Sequence, residues 1–305
     1  MTDEFAAHIE RRLASLPEPT RGLLGSAIAS EAPDPWIRDV LLVYLRYFIR
    51  LFDFDEPADA AESALADALT DLAGLPRSGG AEPDIDAAEV VLRGGFTQRG
   101  YQFLGGRTPP HFGAYIWRRT EDRGFSVTLP RGEPQPVTVH FMHEFVLRGW
   151  LHWKTGGAQG AGGWYQQDDP SWPDGLYCVA DRYPEPLEEN RTFQVSLLGH
   201  EAQHVADHRA HPGLSSAELE YRAKLVELIG YDSVDERLTA FLADARAEPS
   251  EPHPYAAHLI TERLAGRLFD TPAADADWES VSYPEIAAAA QALLDEDTDR
   301  LAASR

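Results

Sequence analysis

The stretch Ser196-Leu-Leu-Gly-His200-Glu201-Ala-Gln-His204-Val-Ala-Asp-His208 decides both the fold and the chemistry predicted for this chain. Apolar residues recur around it at helical spacing, so the sequence predicts a helix over 193–210. His200 and His204 are four residues apart, and two imidazoles at this spacing project from one face of a helix and can bind one metal ion. Glu201 follows the first histidine, where a carboxylate can act as general base on a metal-bound water. Burial of these groups without partners would be unfavourable, which favours a metal site over a plain core helix.

The third protein ligand is predicted from the turn that follows the motif helix. His211-Pro212-Gly213 ends that helix, and Ser215 and Ser216 cap a second one. In an αα-hairpin, residues equally far from the turn face each other. His204 lies eight residues before Pro212 and Glu220 lies eight residues after it.

This counting makes Glu220 the leading third ligand. Its neighbour at i+3, Ala223, is small and would leave room for the motif helix. Glu218 has Tyr221 and Arg222 at i+3 and i+4, which indicates a solvated face. Glu218 and, more distantly, Glu227 remain as alternatives.

The pattern His200-Glu201-x-x-His204 with a glutamate on the next helix resembles that of the zincin metallopeptidases, specifically the gluzincin branch, in which Glu-x-x-Ala, as at Glu220 to Ala223, is common around the third ligand. The resemblance covers residues 195–230. It implies one Zn²⁺ per chain on the two histidines and Glu220, with Glu201 as general base in the hydrolysis of a peptide or protein substrate. It also implies a zincin-like core, in which a mixed, largely antiparallel sheet packs on the motif helix.

Two departures from related enzymes narrow this resemblance. A metzincin would need glycine at Asp207 and histidine at Ala210, so that branch is excluded. Thermolysin-like enzymes carry an aspartate four residues after the ligand glutamate, where this chain has Lys224. Asp207, three residues after His204, is therefore a candidate for the carboxylate that orients a histidine, and a surface aspartate is the alternative.

Other residues are candidates for contacting the substrate. An oxyanion needs a donor opposite the metal, and Tyr221, Tyr255 and His258 are candidates, each with a structural role as the alternative. The strand around Gly163 and Trp164 is where such enzymes bind an extended peptide along a sheet edge, and this expectation rests on analogy.

The rest of the chain predicts an α+β protein with a helical N-terminal region at 1–80 and a zincin-like domain at 85–305. Helices are expected first at 5–16, 23–28, 36–52 and 58–75, and after residue 188 at 193–210, 215–229, 235–247, 255–269 and 283–301. From about residue 87 the pattern changes to period 2. Strands are expected at 114–117, 124–129, 137–142, 150–153, 163–165 and 176–179.

Composition limits the function classes. Lys and Arg total 27 against 50 Asp and Glu, giving a formal net charge of −23, so nucleic acids and anionic membranes are poor partners. Cys178 is the single cysteine, which excludes an intrachain disulfide; we expect it to be a buried strand residue. No basic start with an apolar run marks a signal peptide, so a cytoplasmic protein is expected.

Two alternatives to a metallopeptidase remain open at this point. A zincin-like domain can bind metal for stability or partner recognition without turnover. A zinc hydrolase can also act on a non-peptide amide or ester. The motif does not separate these three functions, and it does not predict the oligomeric state.

Overall fold

The computed structural model describes Arg11 and residues 34–76, 84–108, 110–132, 134–166, 172–231 and 235–303. Apart from Arg11, the helices predicted at 5–16 and 23–28 lie outside these residues. The protein is of the α+β class, as predicted. It divides into two compact units, the first comprising Met1–Glu121 with Met142–Ala161 and the second comprising Asp122–Phe141 with Gly162–Arg305. The predicted domain boundary at 80–85 stays a prediction.

Four helices belong to the first unit: α1 (Pro35–Phe52), α2 (Ala58–Leu72), α3 (Ile85–Gln98) and the short α4 (Gly149–Lys154). The Asp34 side chain accepts hydrogen bonds from the backbone N–H groups of Trp36 (3.0 Å) and Ile37 (3.2 Å), which caps α1. This confirms the helix predicted at 36–52, which begins one residue earlier. Buried Tyr44, Phe48 and Leu92 contribute to the core of this unit.

Two segments predicted as extended are helical. The period-2 pattern expected from residue 87 is wrong for α3, because Asp84 caps this helix through the N–H of Ala87 (3.0 Å) and burial of Leu92 and Phe96 follows helical spacing. The strand predicted at 150–153 is also wrong. Trp150 and Trp153 are both buried in α4, which their i, i+3 spacing allows.

Two long strands run through both units, β4 (Tyr115–Thr128) and β5 (Pro134–Arg148). In the first unit, β1 (Gln102–Leu104) pairs antiparallel with the start of β4, and β2 (Arg107–Thr108) pairs with β3 (His111–Phe112). The strand order there is β1-β4-β5. Gly132, at φ +83°, adopts the left-handed conformation needed by the turn between β4 and β5.

In the second unit the strand order is β4-β5-β7-β6, with β6 (Gly163–Gln166) antiparallel to β7 (Gly175–Val179). The strands predicted at 163–165 and 176–179 are confirmed within a residue at their ends. Those predicted at 114–117 and 124–129 are parts of the single strand β4, and the one predicted at 137–142 is the middle of the longer β5. Cys178 is buried in β7, as predicted. It packs with Phe141, Phe193 and Leu197 in the core of this unit.

The remaining regular elements are helical and belong to the second unit. A 3₁₀ turn (Ala180–Arg182) and a π-helix (Thr192–Gly199) precede α5 (His200–Ala210), α6 (Ser216–Gly230), α7 (Asp235–Asp244), α8 (Pro252–Phe269) and α9 (Tyr283–Ala303), with two more 3₁₀ turns at Ala273–Asp275 and Trp278–Ser280. The sequence predicts no π-helix. Leu225, Ile260, Leu264 and Ile286 bury the contact of α6 with α8 and α9. Among the residues that the structure describes, every helix is too short or too polar to cross a bilayer.

Candidate metal centre

The site is built on the hairpin formed by α5 and α6. Ser215 begins α6 with a capping box: its hydroxyl accepts from the N–H of Glu218 (3.3 Å), and the Glu218 carboxylate accepts from the N–H of Ser215 (3.0 Å). Because this cap uses the Glu218 carboxylate, Glu218 is not available as a metal ligand. The N–H of His211 donates to the carbonyl of Asp207 (2.6 Å) at the end of α5, and in the turn the N–H of Leu214 donates to the carbonyl of His211 (3.2 Å).

His200, His204 and Glu220 converge between the two helices. The Nε2 atoms of the histidines are 3.0 Å apart. Oε2 of Glu220 lies 3.4 Å from Nε2 of His200, and Oε1 lies 3.4 Å from Nε2 of His204. In the described part of the chain, this is the one group of three His, Cys, Asp or Glu side chains close enough together to hold a metal ion.

The donor set fits a divalent zinc ion. Two imidazoles and a carboxylate are a typical ligand set of catalytic zinc, and tetrahedral bonds of about 2.05 Å put ligand atoms about 3.3 Å apart. The observed separations of 3.0–3.4 Å match this spacing. In addition, Oε2 of Glu220 is buried and makes no hydrogen bond of good geometry with a described residue, so a cation would satisfy it.

A second carboxylate orients His200 from behind. Glu227 lies on α6, seven residues after Glu220. Its Oε1 is 2.8 Å from Nδ1 of His200, and the residue is 4% exposed. Arg237 of α7 pairs with the other oxygen of Glu227 (2.7 Å) and donates to the hydroxyl of Ser196. The Ser196 hydroxyl also bonds the Tyr231 hydroxyl (2.7 Å). A carboxylate on Nδ1 fixes the tautomer that leaves Nε2 free to bind metal.

In the metal-free site, the pKa shifts favour a protonated His200 and ionised Glu220 and Glu227. Burial by itself would lower the pKa of His200, but its bonds to Glu220 and Glu227 outweigh burial and raise this pKa to about 10. Burial would raise the pKa of the Glu220 carboxyl, yet the neighbouring His200, His204 and His253 hold it well below its usual range. His200 also lowers the pKa of Glu227, against the effect of burial. A metal ion would therefore have to displace the proton of His200 at neutral pH.

His253 lies at the rim of the site. It belongs to the first turn of α8, its Nδ1 is 2.9 Å from Oε2 of Glu220, and its side chain is 63% exposed. The two groups lie outside good hydrogen-bond geometry, so the contact is a close approach of the imidazole to the carboxylate. His253 was missed by the sequence analysis, since only the packing of α8 on α6 brings it to Glu220.

Glu201, the predicted base, follows His200 in the first turn of α5 and is partly exposed. Its side chain forms no hydrogen bond or ion pair with a described residue, so its carboxylate is available to other groups.

Asp207 does not orient a histidine. Its carboxylate accepts a hydrogen bond from Arg222 (2.8 Å), and Arg222 also donates to Asp297 (2.9 Å). A guanidinium held by two buried carboxylates is a stronger partner for Asp207 than an imidazole one turn away. The carboxylate that bonds His200 is that of Glu227. The sequence analysis considered this residue only as the least favoured alternative for the third metal ligand. Its position seven residues after Glu220, on the same face of α6, is the signal that could have revealed it.

The candidate substrate-contacting residues make their described contacts with other side chains than His200, His204 and Glu220. The Tyr221 hydroxyl accepts a hydrogen bond from Arg263 (2.9 Å). Tyr255 and His258 contact each other on α8, with ring centroids 6.3 Å apart. Within the described residues, none of these three side chains bonds the ligand group. Gly163 and Trp164 lie in β6, as predicted, and Trp164 stacks on Tyr177.

Comparison with known proteins adds no further constraint. No protein-family model matches the sequence, no curated protein is significantly similar to it and no solved structure matches its fold. Inference about function therefore depends on the chemistry of the site.

Proposed function

We propose that this protein is a zinc-dependent metallopeptidase of the gluzincin type, built on a zincin-like core. One observation carries the proposal: Nε2 of His200 and Nε2 of His204 converge with the Glu220 carboxylate between two helices. Glu201, adjacent to the first ligand, is free of hydrogen bonds and ion pairs to described residues. The spacing predicted from the sequence and the contacts of the folded chain support the same three ligands.

In the proposed amide hydrolysis, each residue of the site would have a separate role. When bound, zinc supplies a Lewis acid that polarises a carbonyl group and lowers the pKa of a water molecule. Glu201 would accept the proton of the attacking water and deliver it to the leaving nitrogen. Glu227 would hold His200 in its ligating tautomer. His253, with its Nδ1 2.9 Å from Oε2, would help to position the carboxylate of Glu220.

A peptide is the substrate class that the sheet of the second unit best accommodates. β6 is the last strand in the strand order of that unit, and its neighbour there is β7. Among the described strands, β6 is therefore an edge strand, the kind to which an extended peptide adds by main-chain hydrogen bonds. Gly163 fits this strand because a Cβ atom there would come within 2.6 Å of the Tyr177 carbonyl oxygen.

The first experiment measures metal content. Elemental analysis of the purified chain should give one zinc per chain, and His204→Ala should lose it because two protein ligands seldom hold zinc. His208→Ala is the matched control, since this histidine lies on the same helix but is exposed. Zinc retained in full by His204→Ala would refute the site.

The second experiment separates catalysis from metal binding. Glu201→Gln should keep its zinc and lose about 10²–10⁴-fold in the rate of peptide cleavage, because it removes the general base. Equal rates in this variant and the wild type would remove Glu201 from the mechanism. If the zinc-loaded wild type cleaves no member of a broad peptide library, the metallopeptidase proposal fails and a metal-binding role without turnover takes its place.

A further inference from the structure

A cavity lies beside α5, the helix that carries His200 and His204. Its volume is about 340 Å³, near the lower end of the range for small-molecule sites. Its walls come from one flank of α5, including Gln203 and Ala206, from Arg222 of α6 and from Arg131 in the turn between β4 and β5. All of these residues belong to the second unit.

An unpartnered buried amide faces this cavity. Gln203 is 5% exposed and lines the cavity, yet its side chain makes no hydrogen bond with any described residue. Buried polar side chains almost always have a partner. Gln135, also buried at the wall, uses its Nε2 on the Pro136 carbonyl (2.9 Å). The amide of Gln203 therefore calls for a polar group supplied from outside.

The ions at the back of the cavity pair with one another. Arg222 donates to Asp207 and Asp297, and Asp297 also pairs with Arg300 (2.8 Å), which in turn lies 3.6 Å from Glu218. Two guanidinium groups thus meet three carboxylates, so this cluster supplies no positive charge to a ligand.

The uncompensated charge comes from two arginines of the lining. Arg209, in the last turn of α5, is exposed and pairs with no carboxylate of the described residues. Among the described residues, the carboxylate closest to Arg131 is that of Asp299, 3.8 Å away and 79% exposed, which is a weak contact. In a chain of net charge −23, a positive cavity is exceptional and selects an anion.

The apolar part of the cavity lining indicates which class of anion fits. Leu129, Ala206 and Leu294 line the cavity with apolar surface, which an inorganic anion would leave uncovered. Guanidinium groups bind planar carboxylates through paired hydrogen bonds. We infer that this cavity binds a small organic carboxylate. Its charged group meets Arg209 and Arg131, the Gln203 amide bonds a carboxylate oxygen, and its apolar body covers Leu129 and Leu294.

This site is separate from the metal centre. None of His200, His204 and Glu220 lines the cavity, so the cavity and the metal centre are built from different side chains. The inference goes beyond the proposed function and does not depend on zinc.

The test is calorimetric titration of the full chain with sodium benzoate at constant ionic strength. Benzoate should bind with a stoichiometry of one. Benzamide, which has the same shape without the charge, and inorganic phosphate, which lacks the apolar body, should each bind at least tenfold more weakly. Arg209→Ala should weaken benzoate binding about tenfold, and Arg119→Ala, an exposed arginine of the first unit, should leave it unchanged.

Two further variants guard against false readings. Gln203→Glu keeps the shape of the side chain and adds a negative charge, so it should abolish benzoate binding, with circular dichroism confirming the fold. His204→Ala should bind benzoate like the wild type, because the cavity does not include His204. If benzoate instead bound by coordinating a metal at the metal centre, its binding would be lost in this variant. Four results would each overturn the inference: no saturable binding of benzoate, full binding by Arg209→Ala, loss of binding in His204→Ala, or phosphate binding as tight as benzoate.

Discussion

Replacing Glu227 by glutamine should weaken zinc binding about tenfold and leave the fold intact. The carboxylate bonds Nδ1 of His200 at 2.8 Å from a position that is 4% exposed. The amide keeps the shape and one acceptor oxygen, so the tautomer of His200 is preserved but the negative charge behind it is removed. Arg237 loses its ion-pair partner, yet it is 26% exposed and can be hydrated.

The size of this effect follows from the hydrogen bond. A net contribution of ~1.5–3 kcal/mol is typical for a bond to a charged group and ~0.5–1.5 kcal/mol for a neutral one. The difference is about 1–1.5 kcal/mol, and ~1.4 kcal/mol corresponds to tenfold in affinity. This lies at the lower end of the ~10–100-fold losses found when the outer partner of a metal ligand is changed.

The assay is competition for zinc against a chromogenic chelator, with thermal unfolding of the metal-free proteins measured in parallel. Glu296→Gln is the matched control, because it makes the same charge change at an exposed site on α9. The control should bind zinc like the wild type. If Glu227→Gln binds zinc within twofold of the wild type, the carboxylate does not support His200 and the reasoning fails.

Three predictions concern stability. Arg222→Met should lower the free energy of unfolding in urea by ~3–5 kcal/mol, because it leaves buried carboxylates uncompensated; adding Asp207→Asn should recover part of the loss, and no recovery would contradict the charge argument. Burial raises the pKa of Glu89 above its ordinary 4.5, so its ionised form destabilises the fold and stability is lost as pH rises through the raised pKa. Glu89→Gln, which still accepts from Tyr44, should therefore be the more stable protein at pH 8 and lose this advantage below pH 4.5; a gap independent of pH would refute the assignment. Ser215→Ala should cost ~1 kcal/mol in thermal unfolding by removing the cap of α6, and an unchanged melting temperature would count against the cap.

The convergence of His200, His204 and Glu220 could be predicted because its determinants are local. His200 and His204 share a helix face by spacing alone, and Pro212 and Ser215 fix where one helix ends and the next begins. Counting outward from the turn then leads to Glu220. The capping box explains why Glu218, a competing candidate, has a different role.

The outer partners could not be predicted in this way, because they depend on packing between distant segments. His253 reaches Glu220 only through the docking of α8, and Asp207 meets Arg222 from another helix. The α4 segment shows a different limit. The four residues from Trp150 to Trp153 are too few for periodicity to separate strand from helix, and the burial of both tryptophans decided for helix.

The π-helix at Thr192–Gly199 explains how one continuous segment serves two environments. In an unbroken α-helix, Phe193 and His204 would point in nearly the same direction, since eleven residues complete about three turns. A π turn takes more residues, which changes the phase before α5 begins. Phe193 and Leu197 can therefore face the sheet core while the two imidazoles face α6. Deleting one residue here would rotate the histidines by about 100° relative to the hydrophobic half, so the length of this segment is as important to the site as the identity of its ligands.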